Sequence, residues 1–71
     1  MTGDGRRRAE ITPGALVDVV QKQDQPTGKL TRGHVERILT NSATHPHGIK
    51  VRLREGGIVG RVQRILEEDE A

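Results

Sequence analysis

Ile49, Val51 and Leu53 alternate with Lys50, Arg52 and Arg54, a period-two pattern that predicts a strand with one buried and one wet face. Upstream, residues 15–20 (Ala-Leu-Val-Asp-Val-Val) follow the turn signal Pro13-Gly14 and read as a first, β-branched strand. Residues 29–40 read as a longer strand whose apolar positions disagree in phase, since Leu30 and Ile38 share one parity while Val35 and Leu39 share the other. A straight strand cannot bury all four, so a bend or β-bulge is expected, with Gly33 the residue suited to the corner. Downstream, Gly56-Gly57 predicts a two-residue hairpin loop leading to a returning strand over residues 59–65. That loop would set Val51 opposite Val62, Leu53 opposite Gly60 and Arg52 opposite Arg61. Residues 21–28 and 41–48 are rich in turn formers and read as exposed loops.

No window shows a convincing helix, and at most a frayed turn is expected over residues 61–70, where acids at a helix C-terminus are unfavourable. Four to five short strands with glycine corners in so short a chain predict an all-β fold, a small SH3-like barrel. An OB-like barrel is the alternative, although that fold normally uses more residues. The barrel is expected over residues 11–66, between disordered tails at 1–10 and 67–71.

Composition narrows what such a barrel can do. Seventy-one residues support one small core and no deep catalytic cleft. The chain has no Phe, Tyr or Trp, so the side chains that usually stack nucleobases are missing. It also has no Cys, which excludes a disulfide framework and a thiolate nucleophile. No apolar run approaches the length of a membrane span, and the expectation is a soluble, cytoplasmic protein with no membrane partner.

The net charge of +2 conceals a segregation. Residues 15–66 hold nine bases against the four acids Asp18, Asp24, Glu36 and Glu55, while Glu67, Glu68, Asp69 and Glu70 close the chain. A basic body of this kind suits a polyanionic partner. Lys50, Arg52 and Arg54 share the outer face of one strand, and Arg61 joins them from the next. Like charges side by side are easier to accommodate when a phosphate or carboxylate lies between them. Lys29, Arg32 and Arg37 would extend the patch to a surface that tracks a nucleic-acid backbone. The same charges also serve solubility and discourage edge pairing.

The loop over residues 21–28 and the residues after it offer Asp24, Gln25, Thr27 and Thr31 as recognition groups, or as turn chemistry in which Gly28 takes a positive φ. Gly28-Lys29 does not make a phosphate loop, because Leu30 stands where Ser or Thr is needed. His45-Pro46-His47 places two imidazoles in one loop, with His34 on the central strand. Two His at this spacing make a weak metal signal without a carboxylate in the loop, and shaping of the turn is the expected role. No triad or oxyanion hole is legible, and neither catalysis, a cofactor, a metal nor a small-molecule substrate is expected.

The strings Asp24-Gln-Pro-Thr-Gly-Lys-Leu-Thr-Arg-Gly33 and His45-Pro-His-Gly-Ile-Lys-Val-Arg-Leu53, with Gly57-Ile-Val-Gly-Arg-Val-Gln63, resemble the YwbE-like family of small uncharacterised proteins over about residues 11–65. The resemblance implies a small β-rich domain and no established activity. Gly14-x-x-Val17-x-Val19 and Gly33-x-Val35-x-x-Ile38 are similar to KOW-type and other SH3-like modules of ribosomal and transcription proteins. The sequence therefore leads to a non-catalytic binding module whose expected partner is RNA, ribosomal or otherwise structured, held through Lys29, Arg32, Arg37, Lys50, Arg52, Arg54 and Arg61. The alternative is a protein-interaction module that uses a strand edge or the 21–28 loop against an acidic protein surface.

Overall fold

Four β-branched segments form antiparallel strands in the computed structural model, which describes residues 5–66: β1 (Leu16–Val20), β2 (Thr31–Ile38), β3 (Lys50–Leu53) and β4 (Val59–Leu66). They close in the order β1-β2-β3-β4, with β1 pairing to both β2 and β4. The architecture is the expected all-β barrel, with four strands, and is consistent with a small SH3-like fold. Two short 3-10 turns, Arg8–Glu10 and Lys22–Asp24, are the only helical elements among the described residues. None of those is long and apolar enough to cross a membrane.

The barrel interior is filled almost wholly by aliphatic side chains. Val17 and Val19 from β1, Val35 from β2, Val51 and Leu53 from β3, and Val62 from β4 are fully enclosed, and Ile49 joins them from just ahead of β3. Ile11 and Ile65 close the ends of the cluster.

The phase conflict in β2 is resolved by a bulge, but at Glu36 rather than at Gly33. The β2–β3 register runs from Val35↔Leu53 to Arg37↔Arg52, leaving Glu36 as the extra residue. Val35 and Ile38 thereby both turn toward the core, while Leu30 and Leu39 stay exposed. Gly33 is instead demanded by close packing, since a Cβ there would stand 2.8 Å from Leu53 Cδ1 and 2.7 Å from a Glu55 carboxylate oxygen.

The hairpin register also differs from the expectation. Lys50 faces Arg61, Val51 faces Gly60 and Arg52 faces Val59, so every pair is displaced by two residues. The loop takes residues 54–57, with Gly56 and Gly57 at φ of 68° and 65°, and the Leu53 N–H donates to the Ile58 carbonyl at 2.7 Å. A shift of two keeps each side chain on its face, so the hydrophobic pattern is blind to it.

The bulge in β2 has a twin. β4 shifts register against β1 between Asp18↔Arg64 and Val19↔Val62, which makes Gln63 the extra residue. The two strands share sequence: Gly33-His-Val-Glu-Arg-Ile-Leu39 against Gly60-Arg-Val-Gln-Arg-Ile-Leu66, identical at five of seven positions. Their pairings correspond throughout. Val17↔Gly33 matches Val51↔Gly60, Val35↔Leu53 matches Val62↔Val19, and Arg37↔Arg52 matches Arg64↔Asp18. β1 and β3 each follow a positive-φ glycine, Gly14 (91°) and Gly48 (102°). The barrel is thus two copies of one strand pair about a pseudo-twofold axis, which exchanges β1 with β3 and β2 with β4.

The barrel reaches further toward the N-terminus than residue 11. Gly5 is buried against Val62, and its carbonyl accepts the Ile49 N–H at 2.8 Å. The Arg6 carbonyl accepts the His45 N–H at 3.0 Å, and the Arg8 N–H donates to the Ala43 carbonyl at 2.8 Å. Residues 5–8 therefore run as an extended arm along the 41–48 loop, where an unstructured tail was expected. The rest of that expectation, residues 1–4 and the acidic segment 67–71, lies outside the described residues.

Candidate nucleic-acid interface

Strand alternation fixes which cations meet. Lys50 and Arg52 point outward from β3 because Val51 and Leu53 point inward. On one side Arg52 faces Arg37 of β2, and on the other Lys50 faces Arg61 of β4. Four cations therefore cluster on the outer surface centred on β3. Arg52 and Arg61 are diagonal neighbours rather than direct partners. Directly opposed like charges are destabilising, and among the described residues Glu36 relieves them, its Oε1 lying 3.4 Å from Arg52 Nε. This contact is half-exposed at both ends and therefore weak.

The structure separates the other expected contacts from this cluster. Arg32 lies on the stretch of β2 that pairs with β1, and its guanidinium grips Asp18 through Nε–Oδ1 at 2.9 Å and Nη2–Oδ2 at 3.4 Å. The Asp18 side chain is only 5% exposed, and the bond and charge of this carboxylate push the Arg32 pKa still higher. Arg54 opens the hairpin loop, its N–H donating to the His34 carbonyl at 2.8 Å. Lys29 is exposed just ahead of β2, with its N–H directed at Thr27 Oγ1.

Within the 21–28 loop, turn chemistry dominates. The Asp24 carbonyl accepts from the Thr27 N–H, the Gly28 N–H and the Thr27 hydroxyl, and Gly28 takes a φ of 76°. Thr31 Oγ1 accepts from Gln21 Nε2 at 3.2 Å. Of the four polar residues singled out in the sequence, Gln25 alone lines the open cleft that this loop forms with the 45–48 turn.

That cleft encloses about 850 Å³ and was not legible in the sequence. Arg6, His45, His47 and Gln63 line it together with Arg61. Arg61 Nη1 donates to the Gly48 carbonyl at 3.1 Å, and Gln63 Nε2 donates to the His47 carbonyl at 3.0 Å. His45 Nδ1 accepts the His47 N–H at 3.1 Å, a bond that exists only while that nitrogen is unprotonated. Burial, followed by the positive charges of Arg61 and His47, holds the His45 pKa below its usual value. The ring thus presents Nε2–H as its donor. The signals that would have revealed this site are the 33–39 and 60–66 repeat, which marks Gln63 as a bulge, and the Arg6-Arg7-Arg8 run, which belongs to the arm.

This geometry sits on a chain whose relatives are recognisable. A family model described as an uncharacterized conserved protein (DUF2196) matches residues 4–65. The chain belongs to this family. It is 59% identical over 63 residues to the uncharacterized protein YwbE of Bacillus subtilis (strain 168), covering 89% of this chain and 95% of that protein. No solved structure matches. The family resemblance carried by the 24–33 and 45–53 strings is therefore established, and those strings contribute the two walls of the cleft as well as β3.

Proposed function

We propose that this protein is a non-catalytic module that binds RNA by its phosphates across the outer face of β3. The observation that supports this is a charge difference between the halves of a pseudo-symmetric barrel. At the centre of the β1 face stands Asp18, flanked by Arg32 and Arg64; at the equivalent position of the β3 face stands Arg52, flanked by Arg37 and Val59. The β1 face neutralises Arg32 internally through the buried Asp18, whereas the internal acid of the β3 face is Glu36, whose contact with Arg52 is half-exposed. The β3 face adds an arginine where the β1 face has an acid, and gains Lys50 opposite Arg61 as well. An external polyanion supplies on the β3 face what Asp18 supplies on the β1 face.

Guanidinium forks and an ammonium without aromatic neighbours suit phosphates rather than base edges, so the binding is weakly sequence-specific and favours structured RNA. The protein-interaction alternative is less favoured by the closed barrel, in which each strand pairs with two neighbours and leaves only part of an edge open to strand addition.

The test is a ¹H–¹⁵N titration of the protein with a short RNA hairpin at about 50 and about 200 mM salt. Shifts gathered on residues 37, 50–54 and 59–61 that fade at the higher salt are the expected result. No shifts at either concentration, or shifts gathered around Asp18 and Arg32, overturn the reading.

A further inference from the structure

The cleft beside the 45–48 turn is where the two halves of the barrel differ most. After β3 the chain turns back within residues 54–57, whereas after β1 the equivalent connection runs through residues 21–30. The longer connection supplies one wall of the cleft through Gln25, Gly28 and Leu30, and the 45–48 turn supplies the other. The pseudo-twofold axis relates Arg61, at the cleft, to His34 on β2. His34 is held by an internal carboxylate, Glu55, at its backbone N–H and at Nδ1. Among the described residues lining the cleft beside Arg61, none is acidic. What lines it instead are the donors of Arg61 and His45, with Arg6 and Gln63 beside them, next to the apolar surfaces of Leu30, Pro46 and Val62.

We propose that this cleft is a binding site for a nucleoside 5′-phosphate unit. The phosphate lies against Arg61 and accepts the His45 Nε2–H, while the base and sugar lie over Leu30 and Pro46. Three features carry the assignment. The volume falls in the range of small-ligand sites, roughly 300–1,000 Å³. The convergent donors suit a phosphate, and Arg61 has four N–H groups besides the one given to Gly48. Arg61 also faces Lys50, so the cleft opens directly off the β3 surface. A chain running over that surface has its end, or an unpaired nucleotide, within reach of the cleft. The inference rests on the RNA reading for the polymer that delivers the nucleotide, and stands apart from it for the site itself.

The same chemistry is offered by a free nucleotide and by the phosphorylated end of an RNA. The experiment therefore compares adenosine, AMP, inorganic phosphate and a 5′-phosphorylated single-stranded RNA of eight nucleotides, each titrated into the ¹⁵N-labelled full chain. AMP is expected to shift Gly28, His45, Gly48, Arg61 and Gln63, with inorganic phosphate moving a subset and adenosine binding roughly tenfold more weakly than AMP. Equal affinity for AMP and the RNA assigns the site to the monomer, and roughly tenfold tighter RNA binding assigns it to a chain end. Arg61→Gln and, separately, His45→Ala should each weaken AMP binding about tenfold with the remaining amide spectrum preserved. Two variants are used because Arg61 also holds the Gly48 carbonyl.

Absence of shifts with AMP and phosphate overturns the proposal, as do AMP shifts confined to the β3 face. Lys50→Glu with Arg52→Glu separates the two readings. It should abolish hairpin binding and leave AMP in the cleft, whereas a parent protein that takes AMP but no hairpin sinks only the RNA surface.

Discussion

Glu55, in the loop between β3 and β4, accepts the backbone N–H of His34 on β2 at 2.8 Å and meets the same residue's Nδ1 at 2.7 Å. A single carboxylate thus ties the hairpin turn to the neighbouring strand at the point where β2 passes from β1 to β3. The imidazole and backbone bonds from His34, with one from its own backbone, hold the Glu55 pKa down to about 2, against an ordinary value of 4.5. A carboxyl depressed in the folded state contributes stability that is complete above the unfolded pKa and fades as pH falls through the folded one. The contribution should therefore be intact above pH 4.5 and lost between there and about 2. Thermal melts of the parent and Glu55→Gln across that window should show a gap in Tm at neutral pH that closes toward pH 2. A gap that stays constant with pH would show that the ionised carboxylate is not what ties the turn.

The pseudo-twofold relation makes Arg52→Asp an informative substitution. It gives the β3 face the residue that the β1 face already carries at the equivalent place, opposite Arg37 as Asp18 is opposite Arg64. The fold should be kept, with Tm close to the parent's, because the opposed Arg37–Arg52 pair becomes an opposite-charge pair while the half-exposed Glu36 contact is lost. Affinity for an RNA hairpin should fall by about tenfold or more at low salt, with a shallower salt dependence. Parallel measurement of Tm by circular dichroism and of affinity by fluorescence anisotropy checks both halves of this expectation.

Asp18 and Arg32 should behave as a coupled pair. Asp18 is buried on the outer side of β1, where the Arg32 guanidinium donates to both of its carboxylate oxygens. Asp18→Asn and Arg32→Gln should each lower Tm. The double variant should lose less than the two single losses combined, since a buried carboxylate without its partner is costlier than no carboxylate. Additive losses in a double-mutant cycle would show that the contact is incidental.

Gly60 sits where β1 crosses β4. A Cβ there would stand 2.8 Å from both Val19 Cγ2 and the Val20 carbonyl oxygen, one of them backbone that cannot swing aside. Gly60→Ala should cost about 1–3 kcal/mol through overpacking, which is a large part of what so small a domain holds. Gly28→Ala is the contrast: it meets open space and has only its φ of 76° to contend with. Its cost should be about 1–2 kcal/mol, borne by the loop without disturbing core amides. Chemical denaturation gives the totals, and amide exchange locates them.

Removing residues 1–10 should lower Tm and speed exchange at Ile49 and His45, whose N–H groups donate to the Gly5 and Arg6 carbonyls. If exchange at these two amides is unchanged in the shortened chain, the arm is not holding the 41–48 loop.

The all-β class and the inward face of β3 were settled by the sequence, which left the strand count at four or five, because alternation is a local property: Val51 and Leu53 cannot share a face with Lys50 and Arg52 on any strand. The existence of a bulge in β2 was equally legible, from the clash of parity between Val35 and Ile38. Its place was not, since Gly33 is explained by the crowding of Leu53 and Glu55, residues 20 and more positions away in the chain. The hairpin register was decided by packing as well, because a slide of two residues leaves the pattern of buried and exposed positions unchanged and alters only which cations become neighbours. Charge followed the same division. Composition alone established a basic body, whereas only closure of the barrel could give Arg32 to Asp18, set Arg37 against Arg52, and bring Arg6, His45 and Arg61 around one cleft from three separate segments.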